Sequence, residues 1–170
     1  MSAHFVGIVK TIWLKGAGDD RDMELIEDFK FVDESGKEWN APAGSKINGA
    51  SIPSTFWSSI GPPFVGDYRR ASVVHDVACD VKTDPSEEVH LMFYYAMITD
   101  GVSWLKANTM FQAVKRFGPS WDVNRPNAPA SFVASPTEED AKRLMEAVRQ
   151  AAEKAGEGAS PQEVDKFLRY

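Results

Sequence analysis

A chain of 170 residues with 43% hydrophobic side chains is long enough for one compact domain with a substantial core. A net charge of −6 excludes the basic footprint that nucleic-acid binding requires. The single cysteine excludes an intrachain disulfide, no apolar run approaches the ~20 residues of a membrane helix, and the first residues lack a signal-peptide pattern. We therefore expect a soluble protein without nucleic-acid or membrane partners, and the single cysteine is compatible with a reducing compartment.

The N-terminal third predicts a small antiparallel sheet. Residues 5–14 are rich in β-branched and aromatic side chains and predict one strand. Residues 23–31 continue the sheet, and 39–47 form a return strand interrupted by A-P-A-G. The intervening D-E-S-G-K-E predicts a hairpin turn in which Gly36 adopts a positive φ angle.

Helical patterns begin at residue 68. The stretch 68–81 lacks Gly and Pro and predicts a first helix. A second helix is predicted to start with Asp84 as its N-cap and to end near Thr99. A third helix, capped by Ser103, ends at the Gly118-Pro119 pair.

The C-terminal part predicts a proline-rich arm over 119–136 and a helical tail over 137–170. Helix starts are expected at Ser135-Pro136-x-Glu138 and at Ser160-Pro161-x-Glu163. The tail has an apolar stripe that must pack on the body or on another copy, and this stripe consists of Leu144, Met145, Val148 and Ala152. We expect Trp121 and Phe132 to hold the arm in place. The predicted fold is therefore α+β, with a core over 1–118, the arm and the tail.

Two histidines are the main candidates for chemistry. His75 and Asp76 interrupt an apolar helix, and Ser72, His75 and Cys79 share one of its faces. On the next helix, His90 shares a face with apolar residues. We expect His90 to be buried and to face the helix that carries His75.

Three interpretations of this pattern remain open. In the first, His75 and His90 bind a metal with Asp76 or Asp80 and leave a position for water, as in catalytic zinc sites. In the second, His75 is a general base, oriented by a carboxylate, that activates Ser51, and the catalytic residues are His75, Asp76 and Ser51. In the third, both histidines are core residues with satisfied hydrogen bonds, which is the usual case for lone histidines on apolar faces.

Other residues have both a structural and a functional interpretation. Cys79 is either a small buried packing residue or a soft metal ligand, and the packing role is favoured. The candidate binding residues are Asn48, Trp57, Tyr68 and Arg69, although an aromatic core plug explains Trp57 more simply and a solvated helix start explains Arg69.

The chain resembles a known family through the combination of several motifs. These are A-P-A-G-x-x-x-N-G-A-S-I-P-x-x-F-W-x-x-I-G-P-P, Y-R-R-A-x-V-x-H-D, M-F-Y-Y-A-M and A-V-x-x-F-G, within about residues 24–118. They resemble the phage and bacterial domain of unknown function 1353, whose members have no settled activity. The resemblance implies an α+β domain in which the G-A-S-I-P loop lies near the H-D helix, and phage membership implies a cytoplasmic or virion-associated protein.

The sequence departs from that family at two polar positions. Asn48 stands where the family commonly has Asp, and Val89-His90 stands where it commonly has Ala-Asp. If the family's polar set binds a cation, this less anionic version suits zinc better than calcium or magnesium. We also expect Ser51 or Asn48 to lie within hydrogen-bond distance of His75 or Asp76.

Two classes of function follow, and whether the protein is an enzyme stays open at this point. One is a metal-dependent hydrolase acting on peptidoglycan or a peptide, by analogy with phage proteins. The other is a non-enzymatic phage accessory or virion-associated module. In that case His75 and Asp76 are structural, and the tail over 137–170 binds a protein partner or a second copy.

Overall fold

A computed structural model describes the chain over residues 2–15, 22–49, 51–62, 64–125, 131 and 135–170. Strands occupy the N-terminal third and helices most of the remainder, so the predicted α+β class is confirmed. None of the described helices has the length and apolar character needed to cross a membrane.

The strands form two three-stranded antiparallel sheets instead of one. The first has the order β1-β4-β5 and the second the order β2-β3-β6; in chain order the strands are His4–Val6, Thr11–Trp13, Met23–Leu25, Phe29–Val32, Glu38–Ala41 and Lys46–Ile47. The hairpin turn between β4 and β5 is confirmed, with Gly36 at φ +88°.

The prediction of one strand over 5–14 is wrong because the chain changes sheet inside it. Gly7 adopts φ +92°, and a Cβ atom there would lie 2.7 Å from the carbonyl oxygen of Asp28. Any other residue would therefore meet both backbone strain and a steric clash. This glycine separates β1 from β2 and lets them pair in different sheets.

Six α-helices follow within the described residues, and the second is central. They are α1 Trp57–Ile60, α2 Arg69–Val81, α3 Ser86–Thr99, α4 Trp104–Phe117, α5 Glu138–Ala155 and α6 Pro161–Phe167, with 3-10 turns at Ser54–Phe56 and Gly66–Tyr68. Helix α2 packs against β4, β5 and β6 on one side and against α3 on the other. The histidine on α2 therefore lies where the sheets meet the helical half.

Two predicted helix starts are displaced. The N-cap of α3 is Pro85, and Asp84 instead accepts a 2.6 Å hydrogen bond from the Lys37 ammonium. Helix α5 begins with a capping box of Thr137 and Asp140, two residues after the predicted one. The predicted capping box of α6, Ser160 with Glu163, is confirmed.

The tail packs on the body of the same chain through its apolar stripe. Leu144, Val148 and Ala152 are buried, Met145 is half-buried, and α5 contacts α4. At the start of the arm, the Trp121 indole donates a 2.8 Å hydrogen bond to the carbonyl oxygen of Asp84. Phe132, the other predicted anchor, lies outside the described residues.

Candidate metal centre

The two histidines meet inside the α2–α3 hairpin. His75 is fully buried, His90 is 3% exposed, and the His75 ring stacks on Phe93 with 4.4 Å between ring centres. A short turn joins the two helices, so their facing sides are in contact. The prediction that His90 is buried and faces the His75 helix is confirmed.

A continuous hydrogen-bond chain runs through both imidazoles. His75 Nδ1 lies 3.2 Å from Ser51 Oγ, and His75 Nε2 lies 2.9 Å from His90 Nδ1. At the far end, His90 Nε2 lies 3.1 Å from the carbonyl oxygen of Pro119. The predicted proximity of Ser51 to His75 is confirmed, and both histidines are held from opposite sides.

Asp76 points toward the loop rather than toward His90. Its Oδ2 accepts the backbone N–H groups of Asn48 at 2.8 Å and Gly49 at 3.1 Å, and its Oδ1 accepts the Ser51 hydroxyl at 3.0 Å. Because consecutive helix residues point about 100° apart, the side chains of Asp76 and His75 form hydrogen bonds with different parts of the chain. The carboxylate thus ties the loop to α2.

Cys79 completes a group of three metal-type donors. Its Sγ lies 3.6 Å from His75 Nε2, one helical turn along α2. One donor atom each from His75, Cys79 and His90 lies within 4.8 Å of the other two, and all three residues are buried. Asp76 does not belong to this group, and Asp80 is exposed on the neighbouring surface.

Two of the three donor separations lie near those around a tetrahedral zinc ion, and the third, between Cys79 and His90, is at most 4.8 Å. With Zn–N of ~2.0–2.1 Å and Zn–S of ~2.3 Å, ligand atoms on one ion lie about 3.3–3.6 Å apart. The His75–Cys79 separation of 3.6 Å falls in this range, and the His75–His90 separation of 2.9 Å is slightly shorter. Two imidazoles and a thiolate are also a donor set that suits zinc.

Burial keeps the group uncharged in the metal-free protein. It lowers the pKa of His75 well below the usual value, and it lowers the pKa of His90 to about 4. It also raises the pKa of the Cys79 thiol. It raises the pKa of Asp76 as well, although hydrogen bonds from Asn48, Gly49 and Ser51 act in the opposite direction. A divalent cation would therefore enter a site of neutral donors and displace the thiol proton.

A cavity of about 380 Å³ opens beside this cluster. Its inner wall contains Ser51, Asp76 and Cys79, and its outer wall contains Lys46, Asp80 and Lys82. The histidines do not line the cavity, so Cys79 is the member of the donor group that reaches its wall. A small ligand in the cavity would meet the cluster on its Cys79 side.

Three of the predicted binding residues lie elsewhere. The Tyr68 hydroxyl donates to the carbonyl oxygen of Pro62 at 2.7 Å, and the side chain is buried in the core. The Trp57 indole donates to the carbonyl oxygen of Ile52, and Arg69 lines a different cavity, near Phe64. Only Asn48 of this set borders the cluster, so ligand binding by the others stays a prediction.

Two parts of the cluster carry little sequence signal. The sequence favours a packing role over a metal-ligand role for Cys79, because a lone buried cysteine is ordinarily a packing residue. The Pro119 carbonyl that holds His90 is a backbone group, and no side-chain pattern identifies it. The i, i+4 spacing of His75 and Cys79 was the one signal that pointed to the observed donor set.

Fold and site together define a small α+β protein with a buried histidine–cysteine cluster beside a loop-lined cavity. Residues 23–114, more than half of the chain, match the family described as protein of unknown function (DUF1353), and the chain belongs to this family. The resemblance predicted over 24–118 is therefore confirmed. No solved structure matches the chain.

Two relatives from Sinorhizobium fredii (strain NBRC 101917 / NGR234) share this region. The uncharacterized protein y4jT is 48% identical over 100 residues, which cover 59% of this chain and 30% of the relative. The uncharacterized protein y4iH is 38% identical over 104 residues, which cover 61% of this chain and 44% of the relative. The chain thus spans less than half the length of these relatives.

Proposed function

We propose that His75, Cys79 and His90 form the zinc site of a hydrolase. The substrate class we propose is peptidoglycan or a peptide, in the phage or prophage setting that the family resemblance implies. This part of the proposal rests on analogy, whereas the metal site rests on the arrangement of the donors.

The observation that carries the proposal is the convergence of two imidazole nitrogens and one sulfur within 4.8 Å. Three protein ligands leave one tetrahedral position for water or substrate, as in catalytic zinc sites, and zinc lowers the pKa of a bound water to about 7. A structural zinc site would normally present four protein ligands. The described residues present three.

The surroundings supply the other parts of a hydrolytic site. The cavity of about 380 Å³ lies within the usual range of ligand sites, about 300–1,000 Å³. Cys79 lies on its wall, so the donor group is close to the space that a substrate would occupy. The cavity lining includes Lys46 and Lys82, which can pair with carboxylate groups of a peptide, and also Asp22 and Asp80, which offset the positive charge.

Metal content tests the proposal first. Protein purified without a histidine tag and reconstituted with zinc is expected to contain one zinc per chain by elemental analysis. Cys79→Ala and His90→Ala should lose most of it. Asp80→Asn, on the wall of the same cavity but outside the donor group, is the matched control and should keep it.

Activity is the second step. Zinc-loaded protein should release soluble fragments or new amino termini from purified peptidoglycan and a peptide mixture, and the Cys79→Ala variant should not. Reconstituted protein with less than about a tenth of an equivalent of zinc would contradict the metal site. Stoichiometric zinc without hydrolysis of any substrate would contradict the enzymatic part alone.

A second candidate is a non-enzymatic phage accessory or virion-associated module with a structural His–Asp cluster. The observation that favours it is the Asp76 carboxylate, which binds two backbone N–H groups of the loop. The tail over 137–170 would then bind a protein partner. This candidate predicts that Asp76→Asn loosens the fold while Cys79→Ala changes neither stability nor zinc content.

A further inference from the structure

The directions of the hydrogen bonds in the cluster follow from one obligate acceptor. The Pro119 carbonyl can only accept, so His90 Nε2 carries the proton of that 3.1 Å bond. A neutral His90 then has a lone pair on Nδ1, which accepts the proton on His75 Nε2 at 2.9 Å. The remaining nitrogen of His75, Nδ1, presents its lone pair to Ser51.

This arrangement leaves one proton for two acceptors. The Ser51 hydroxyl lies 3.2 Å from His75 Nδ1 and 3.0 Å from Asp76 Oδ1, and it has a single proton to donate. If the proton goes to one acceptor, the other lacks this bond, and the Cys79 thiol, 4.0 Å from His75 Nδ1, is only a weak and distant alternative donor. The metal-free cluster is therefore incomplete at Ser51.

Metal loading would remove this conflict. An ion bound by His75 Nε2 and His90 Nδ1 needs the lone pairs of both nitrogens, so the His75 proton must then be on Nδ1. There it is donated to Ser51 Oγ, and Ser51 donates its own proton to Asp76. Every group in the chain from Pro119 to Asp76 then has a partner, as is usual around histidine ligands of metals.

We propose that His75 changes its tautomer when the metal binds, and that Ser51 is the positioning residue that holds the metal-binding tautomer. The inference rests on the proposed metal site. The protons balance: the Cys79 thiol gives up its proton to solvent, and His75 loses the proton on Nε2 and gains one on Nδ1. One proton is released for each ion bound.

The same switch separates two chemistries at one site. In the metal-free form the His75 lone pair faces the Ser51 hydroxyl at 3.2 Å, the direction that a general base requires. In the loaded form this hydrogen bond is reversed and Ser51 is an acceptor. A zinc centre and a His75-activated serine are therefore mutually exclusive states of this cluster.

The direct test is the tautomer of each imidazole, measured by long-range ¹H–¹⁵N NMR on ¹⁵N-labelled wild-type protein. We expect His75 to be Nε2–H without metal and Nδ1–H with one equivalent of zinc, while His90 stays Nε2–H in both. A His75 ring with the same tautomer in both states would overturn the inference. Because this test needs no variant, it holds even if substitutions impair folding.

Zinc affinity, measured by competition with a chromophoric chelator, tests the role of Ser51. Ser51→Ala should weaken zinc binding about 10–100-fold, the usual effect of losing a partner of a metal-bound histidine, and Ser51→Thr should restore part of it. Ser72→Ala is the matched control, because Ser72 is a buried serine on α2 whose hydroxyl has no partner among the described residues.

The outcomes separate this inference from the proposed function. If wild-type protein binds no zinc, both fail. If wild type binds zinc and Ser51→Ala binds it equally tightly, the positioning role of Ser51 fails while the metal site remains.

Discussion

Two buried polar regions of this protein are built in different ways. In the α2–α3 hairpin, His75, His90 and Asp76 each have hydrogen-bond partners. On α4, Gln112 is fully buried, yet neither polar atom of its side chain has a partner among the described residues. The Oδ1 atom of Asn108, one turn earlier, lacks one as well.

The helix that carries the second region packs against the tail. Gln112 lies one turn before Arg116, which contacts Asp165 of α6, and α4 packs against both α5 and α6. The family match ends at residue 114 and does not include the tail. The hairpin cluster is thus a connected hydrogen-bond network within the family core, whereas α4 packs against a segment outside the family match.

Removing the Asp76 carboxylate tests the connected hydrogen-bond network and has the largest expected effect. Asp76→Ala leaves two backbone N–H groups without their acceptor, at about 1–3 kcal/mol for each buried orphan, and it removes one of the two acceptors of the Ser51 hydroxyl. We expect a loss of about 3–5 kcal/mol in the free energy of unfolding, measured by urea titration. Asp80→Ala, four residues on and exposed, should change it by less than about 0.5 kcal/mol.

Truncating a buried tail residue measures how firmly the tail covers α4. Leu144 is fully buried in the stripe of α5, so Leu144→Ala should cost about 3 kcal/mol through lost burial and the cavity left behind. The exposed Lys142→Ala is its control. An unchanged melting temperature for Leu144→Ala would show that the tail does not pack stably in solution.

Acid should destabilise the metal-free protein through the network. The pKa of His90 is about 4 when folded, against about 6.5 when unfolded, so its stabilising contribution is complete above pH 6.5 and is lost as the pH falls toward 4. This difference corresponds to about 3 kcal/mol. The lowered pKa of His75 acts in the same direction, and the raised pKa of Asp76 opposes it.

The measurement is the free energy of unfolding at several pH values between 7 and 4. His90→Gln should flatten the dependence of the free energy of unfolding on pH. Equal slopes for wild type and His90→Gln would show that His90 is not buried in solution.

Replacement of a buried polar residue by methionine has the smallest expected effect. It should stabilise the protein on α4 and destabilise it in the α2–α3 hairpin. Gln112→Met replaces an amide without partners by an apolar side chain of similar shape, so we expect a gain of up to about 1 kcal/mol. The same replacement at His90 breaks two hydrogen bonds and should destabilise the protein. Loss of stability in Gln112→Met would mean that the amide is satisfied, for example by buried water.

The sequence predicted the features that depend on local chemistry. The β4–β5 turn, the burial of His90, the capping box at Ser160 and the proximity of Ser51 to His75 all follow from spacing, turn residues or the family motifs. These signals are local or carried by side chains. They need no knowledge of how distant segments pack.

Features set by tertiary packing were missed or displaced. The split of residues 5–14 depends on the approach of Gly7 to Asp28, which lies on a distant part of the chain. Asp84 does not cap α3 because Lys37 of the β4–β5 hairpin binds it instead. The Pro119 carbonyl is a backbone group, and its role depends only on where the chain leaves α4.

The three donors of the proposed metal site are close together along the chain as well as in space. His75 and His90 are 15 residues apart, and Cys79 is four residues from His75. An unfolded chain therefore carries the whole donor set in one short segment. Because a cross-link over a loop of about 15 residues removes only about 3 kcal/mol of chain entropy, an ion can also bind before folding is complete. Because zinc would then also bind the unfolded chain, it would stabilise the folded state by less than its affinity for the folded state implies. A growing chain could also bind the ion as soon as residue 90 has been synthesised.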